Sequence, residues 1–122
     1  MNRPKYLNLL KIRLPLPGVL SILHRLSGVV LIAALPFALA ALAMSLASEA
    51  GYAKVGSMSD NPLCKLMVLG TVWALFHHLC AGTRFLLLDL HLGVSLAAAR
   101  FSAVLAFAVS MMLTLAFGVW LW

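Results

Sequence analysis

Residues 26–48 read Leu-Ser-Gly-Val-Val-Leu-Ile-Ala-Ala-Leu-Pro-Phe-Ala-Leu-Ala-Ala-Leu-Ala-Met-Ser-Leu-Ala-Ser, 23 consecutive residues without a charge, bounded by Arg25 and Glu49. A bilayer's hydrocarbon core is spanned by about 20 residues of helix, so this stretch is long enough to cross. Two further charge-free runs follow. Leu66 to Thr83 is 18 residues between Lys65 and Arg84, and Phe101 to Trp122 is 22 residues. Lipid offers no hydrogen-bond partners, so spanning segments satisfy their backbone internally, as helices. The expected architecture is an all-α membrane protein with three transmembrane helices in one domain, 1–122. Helix I lies at about 18–48, helix II at about 62–90 and helix III at about 100–122. Pro36 interrupts the middle of helix I, and the polar segment 48–61 reads as a short loop.

Composition supports the same class. The 122 residues are 64% apolar and only 10% charged, with a mean hydropathy of +1.06. Soluble domains carry about 25% charge, which excludes a soluble enzyme domain, a disordered chain or a disulfide scaffold. Cys64 and Cys80 are separated by about 24 Å of helix, too far for a disulfide. The net charge of +6 does not signal nucleic-acid binding, because the basic residues sit at the ends of apolar runs. They report topology. Arg3, Lys5, Lys11, Arg13 and Arg25 on the N-terminal flank, with Arg84 and Arg100 around the II–III connection, make seven; Lys54 and Lys65 make two on the other side. This bias predicts a cytoplasmic N-terminus.

Polar groups that lipid rejects mark function in such proteins. On helix I these are Ser21, His24, Arg25 and Ser27; on helix II they are His77, His78, Arg84 and Asp89, with His91 just beyond. Ser21 and Arg25 are four apart and share a face, which Gly28 extends as a place of close approach. As a lone residue, Arg25 is equally well read as an interfacial anchor. His78 lies eleven residues inside Asp89, about 16 Å deep. Two readings of the His77–His78 pair stand: hydrogen bonding to a neighbouring helix, or ligation of a metal or haem iron. His24 and Arg25 are expected roughly 10 Å shallower than His78, out of reach of the same iron but within reach of haem propionates. Helix III has neither charge nor histidine, and serves packing, with Trp120 and Trp122 at the outer interface.

Ser21-Ile-Leu-His-Arg-Leu-Ser-Gly28, followed by His78-x-x-x-Gly82-x-Arg84-x-x-x-x-Asp89, resembles the cytochrome b556 membrane-anchor family of succinate dehydrogenase, and the length and three-helix plan resemble it over the whole chain. The resemblance implies half of a heterodimeric haem-binding anchor in the bacterial inner membrane, beneath an iron–sulfur and a flavoprotein subunit. Haem b lies between this chain and a second hydrophobic anchor that supplies the other axial histidine. The complex passes electrons from succinate to ubiquinone, whereas the isolated chain does not oxidise succinate. By motif position His78 is the axial ligand, with His77 as runner-up. Ser21 and Arg25 line the quinone site, His24 and Arg25 face the propionates, and Arg84 and Asp89 give support. Two residues depart from the family pattern: Phe85 stands where a histidine is frequent, and His77 where an aromatic residue is frequent beside the ligand. The alternatives are a fumarate reductase or other quinone-linked b-type cytochrome anchor, or a haem-free small transporter or structural membrane subunit.

Overall fold

The computed structural model describes residues 14–122; the basic residues Arg3, Lys5, Lys11 and Arg13 lie outside them. Four helices occupy the described chain: α1 (Leu16–Ala47), α2 (Glu49–Ser59), α3 (Pro62–Asp89) and α4 (Leu96–Leu121). Three of them, α1, α3 and α4, are long and apolar enough to cross a membrane, and the protein is an all-α membrane protein. Pro15 and Pro17 open α1, with Pro15 as its N-cap, where a missing N–H costs nothing. The helix continues through Pro36, which removes one intrahelical donor at that level.

The polar segment after α1 is not a loop. Ser48 caps α2 by accepting from the Gly51 N–H at 3.0 Å, and Glu49 places a negative charge in the first turn, where the helix dipole favours it. Gly51 permits the close fit: a Cβ there would run into the Met44 carbonyl of α1. The capping residues and the glycine contact outweigh the Gly/Ser content that reads as a turn. Asn61 then caps α3 by accepting from Leu63 N–H at 2.8 Å, with Pro62 at its first position.

The connection from α3 to α4 is a tight C-cap. His91 adopts φ 60°; its N–H bonds to the Leu88 carbonyl at 2.9 Å and that of Leu92 to Leu87 at 3.0 Å, the paired bonds of a Schellman motif. Ser95 caps α4 by accepting from Ala98 N–H at 3.3 Å, so the helix starts ahead of its charge-free run.

Small residues bring the three long helices together. Leu20, Ala81, Ala103 and Ala106 form the buried apolar core, with Cys80, Phe85 and Phe107 packed against it. Alanine faces let membrane helices approach closely where no hydrophobic effect drives them together. Most large aliphatic and aromatic side chains, such as Ile32, Phe37, Leu46 and Val119, face outward, as lipid or a second membrane subunit requires. Cys64 and Cys80 are both free. Lys65 Nζ stands 5.2 Å from the Trp122 ring centre, joining the start of α3 to the end of α4.

Arg84 is 6% exposed and ties α3 to α4. Its Nε donates to Ser102 Oγ at 3.0 Å and its Nη2 to the Ala99 carbonyl at 3.0 Å, while the guanidinium lies 5.3 Å from the Phe85 ring. Ser102 itself donates to the Ala99 carbonyl at 3.3 Å. A planar fork reaches two acceptors at once; an ammonium on a flexible stem does not hold both in the same way. Arg84→Ala is therefore expected to destabilise the membrane-extracted protein by about 2 kcal/mol, two charged hydrogen bonds less the desolvation recovered. Arg84→Lys should restore only part of that loss in a thermal-unfolding series.

Candidate functional site

The polar residues of α1 and α3 converge at one crossing. His24-x-x-x-Gly28 on α1 meets His78-x-x-x-Gly82 on α3, running antiparallel, and each imidazole lies against the other helix's glycine. A Cβ on Gly28 would stand 3.1 Å from His78 Cε1, and one on Gly82 would stand 3.3 Å from His24 Nε2. With no side chain on either glycine, the rings of His24 and His78 stack at 4.1 Å between centroids and 16° between planes. Phe85, two turns beyond His78 on α3, meets the His24 ring edge-on at 5.2 Å.

This contact corrects the depth expected for His24, which is level with His78 rather than roughly 10 Å shallower. Counted from the observed helix ends, His24 is eight residues inside Leu16 and His78 eleven inside Asp89. The remaining offset of about 4.5 Å disappears because α3 extends about one turn beyond the start of α1. Helical rise measures depth from each helix's own end, and those ends are not level.

His78 is half-buried, and its Nδ1 is held. It lies 3.1 Å from the His24 carbonyl oxygen and 3.2 Å from Ser27 Oγ. Its Nε2 makes no hydrogen bond to the described residues. Ser27 is 1% exposed and donates to the same His24 carbonyl at 2.7 Å. In the sequence Ser27 stands out only as one more polar residue of helix I, without a contact. Its position three residues after His24 and one before Gly28 was the available signal.

His77 points the other way. It is 0% exposed, stacked on Trp73 at 5.2 Å and 24° and set against Phe107 of α4 at 5.2 Å and 48°. Neither ring nitrogen has a hydrogen-bond partner among the described residues. The two adjacent imidazoles thus occupy different settings: His77 is enclosed among this chain's own aromatics, while His78 sits on the α1-facing side with an edge still open. The aromatic partners Trp73 and Phe107 were not anticipated; Trp73 is four residues before His77, whereas Phe107 is brought in only by the packing of α4.

The other anticipated residues divide cleanly. Ser21 is half-buried and Arg25 exposed, one turn apart on α1 and flanking His24 in the sequence. Arg84 turns away toward α4, as described above, and Asp89 is exposed at the end of α3. Among the described residues no group of three or more histidine, cysteine or carboxylate side chains is arranged to hold a metal ion.

These features define a multi-pass membrane subunit in which two imidazoles, His24 and His78, meet at a helix crossing. The chain belongs to the succinate dehydrogenase/fumarate reductase transmembrane subunit family, whose model matches residues 1–117. It is similar to the succinate dehydrogenase cytochrome b556 subunit of Coxiella burnetii (strain RSA 493 / Nine Mile phase I), with 37% identity over 99% of this chain and 98% of that protein. It is also similar to the succinate dehydrogenase cytochrome b556 subunit of Paracoccus denitrificans, with 31% identity over 92% of this chain and 86% of that protein.

The glycine contacts yield a direct test of the crossing. Gly28→Ala and Gly82→Ala each force a methyl against an imidazole and should cost about 1–3 kcal/mol, lowering the thermal midpoint of the extracted complex. Gly70, also on α3, has open space where a Cβ would stand, with nothing within 4 Å. Gly70→Ala should be neutral or stabilising by up to about 1 kcal/mol, through helix propensity alone.

Proposed function

We propose that this chain is the cytochrome b subunit of a bacterial succinate:quinone oxidoreductase. In this reading it forms the inner-membrane anchor with a second hydrophobic subunit, beneath iron–sulfur and flavoprotein subunits, and its N-terminus is cytoplasmic. Haem b would be held between the two anchors, each supplying one histidine, and His78 would be this chain's ligand. The observation that carries the reading is the His78 ring: one nitrogen satisfied by backbone and hydroxyl oxygen, the other, at an open edge, without a partner among the described residues. A ligating histidine characteristically anchors its second nitrogen in this way. His77 fits less well, because its ring is enclosed by Trp73 and Phe107 inside this chain.

The residues present fit a haem on geometric grounds. Gly28 leaves the space that the His78 ring occupies, and the exposed apolar flanks of α1 and α3 suit a porphyrin face. His24, stacked on His78, and the exposed Arg25 next to it on α1 are the groups that would meet the propionates. Arginine stays charged in such a setting. Haem, when bound, supplies a one-electron centre held inside the membrane.

Quinone reduction takes up two electrons and two protons, so its site needs donors close to water. Ser21 and Arg25 provide a hydroxyl and a guanidinium within the first three turns of α1, which begins at Leu16. Ser21 donates to a quinone oxygen and Arg25 holds the headgroup by charge. Arg84 and Asp89 support this arrangement from α3, Arg84 by fixing α4. The two relatives are both named as succinate dehydrogenase subunits, which favours succinate oxidation over fumarate reduction.

The test is a reduced-minus-oxidised spectrum of the purified complex. His78→Ala should lose or alter the b-type signal while His77→Ala retains it. The reverse result would move the ligand by one residue, and a wild-type complex without haem would sink the reading. Separately, Ser21→Ala and Arg25→Ala should cut quinone-reductase turnover at least tenfold while succinate oxidation by an artificial dye acceptor persists.

A further inference from the structure

We propose that Ser27 is a positioning residue that fixes the tautomer and orientation of the His78 imidazole, and thereby sets the electron-donating strength of its Nε2. This role rests on His78 being the axial ligand. Its basis is a closed triangle of contacts. The His24 carbonyl oxygen can only accept, and it lies 3.1 Å from His78 Nδ1. Nδ1 must therefore carry the ring proton, which leaves the lone pair on Nε2. Ser27 has one hydroxyl hydrogen, committed to the same carbonyl at 2.7 Å. What Ser27 Oγ turns toward Nδ1, 3.2 Å away, is an acceptor lone pair. The Nδ1–H is thus shared between the hydroxyl and the carbonyl.

Three consequences follow from this geometry. The neutral ring is locked with its ligating nitrogen outward. Rotation of the ring about its bond to Cβ is opposed by the two acceptors on Nδ1, in the space that Gly28 leaves for the ring. Hydrogen bonding at Nδ1–H also makes Nε2 a stronger donor, as outer partners of ligating histidines do. Ser27 is 1% exposed, so no water takes over when the hydroxyl is removed. The i, i+3 spacing to His24 means one turn of α1 supplies both acceptors, one from the main chain and one from a side chain.

The experiment uses the whole complex purified from membranes, carrying Ser27→Ala, Ser27→Thr or Ser27→Cys, with His78→Ala alongside. Haem content, the midpoint potential from a redox titration and the low-spin ferric paramagnetic resonance signal are read for each. Ser27→Ala should keep its haem, because the His24 carbonyl remains. Weaker donation from Nε2 disfavours the ferric form, so the midpoint should rise. A tenfold loss of ferric over ferrous preference, the lower end for outer-partner changes, is about 59 mV for a one-electron couple. The resonance signal should shift as the ring is freed, and Ser27→Thr should return both readings toward wild type. An unchanged potential and signal in Ser27→Ala, or no recovery in Ser27→Thr, would show that Ser27 only packs, while leaving His78 as ligand. If Ser27→Ala does not assemble, Ser27→Cys carries the test: its sulfur is a weak acceptor, so the same rise is expected and an unshifted midpoint overturns the proposal. Haem retained unaltered in His78→Ala would instead remove the ligand assignment, and the role of Ser27 with it.

Discussion

The close approach of α1 and α3 at Gly28 and Gly82 is the constraint from which the rest of the structure follows. Each glycine leaves room for an imidazole on the opposite helix, 3.1 Å and 3.3 Å from where a Cβ would stand. The crossing brings His24 and His78 face to face, and it sets which side of α3 is turned to α1. Once that side is fixed, His77 is directed one residue around the helix, about 100° away, into the contact with α4. Core packing follows the same logic. Leu20 on α1 meets the small faces of Ala81, Ala103 and Ala106, so close helix approach, rather than a large apolar core, holds the bundle together.

Two polar centres result, and they differ in how they are satisfied. Around Arg84 the chain answers its own needs, with Ser102 and the Ala99 carbonyl accepting from the guanidinium. Ser110 and Thr114 similarly return their hydroxyls to α4's own carbonyls. Around His78 the described residues answer only half: Nδ1 is bonded to them and Nε2 is not. In a medium without water an unpaired polar group is costly, so under the proposed function this half-satisfied edge is where a further group is bound. The contrast holds for Arg84 and His78, which share α3, whereas the enclosed His77 on the same helix has neither ring nitrogen partnered among the described residues.

The fold class was legible because three long charge-free runs leave few alternatives in lipid, and the pairing of His24 with His78 was hidden because it depends on how α1 and α3 cross. Depth counted along each helix failed for want of a common origin. The α2 helix was hidden for a different reason: Gly51 and Ser57 read as turn formers, while Ser48 and Glu49 stabilise a helix start and Gly51 works as a contact with α1. His24, Arg25 and His78 stood out because charge and imidazole are rare within apolar runs. Ser27 did not, since a serine in a membrane helix commonly bonds its own backbone, and its additional contact is with a residue 51 positions along the chain. Arg84 was legible as a polar residue near a helix end but not in its direction, which the packing of α4 decides.

Trp73 is half-buried, with its indole stacked on His77, whereas Trp120 and Trp122 are exposed at the far end of α4. The three fluorophores therefore sample separate surroundings. Excited-state emission from Trp73 originates beside an imidazole on the inner side of α3, while the other two report on the bundle's rim. The chain carries an intrinsic optical gauge: quenchers dissolved in lipid reach Trp120 and Trp122 readily and Trp73 far less, so the difference between the two populations reads out how tightly the three helices are closed.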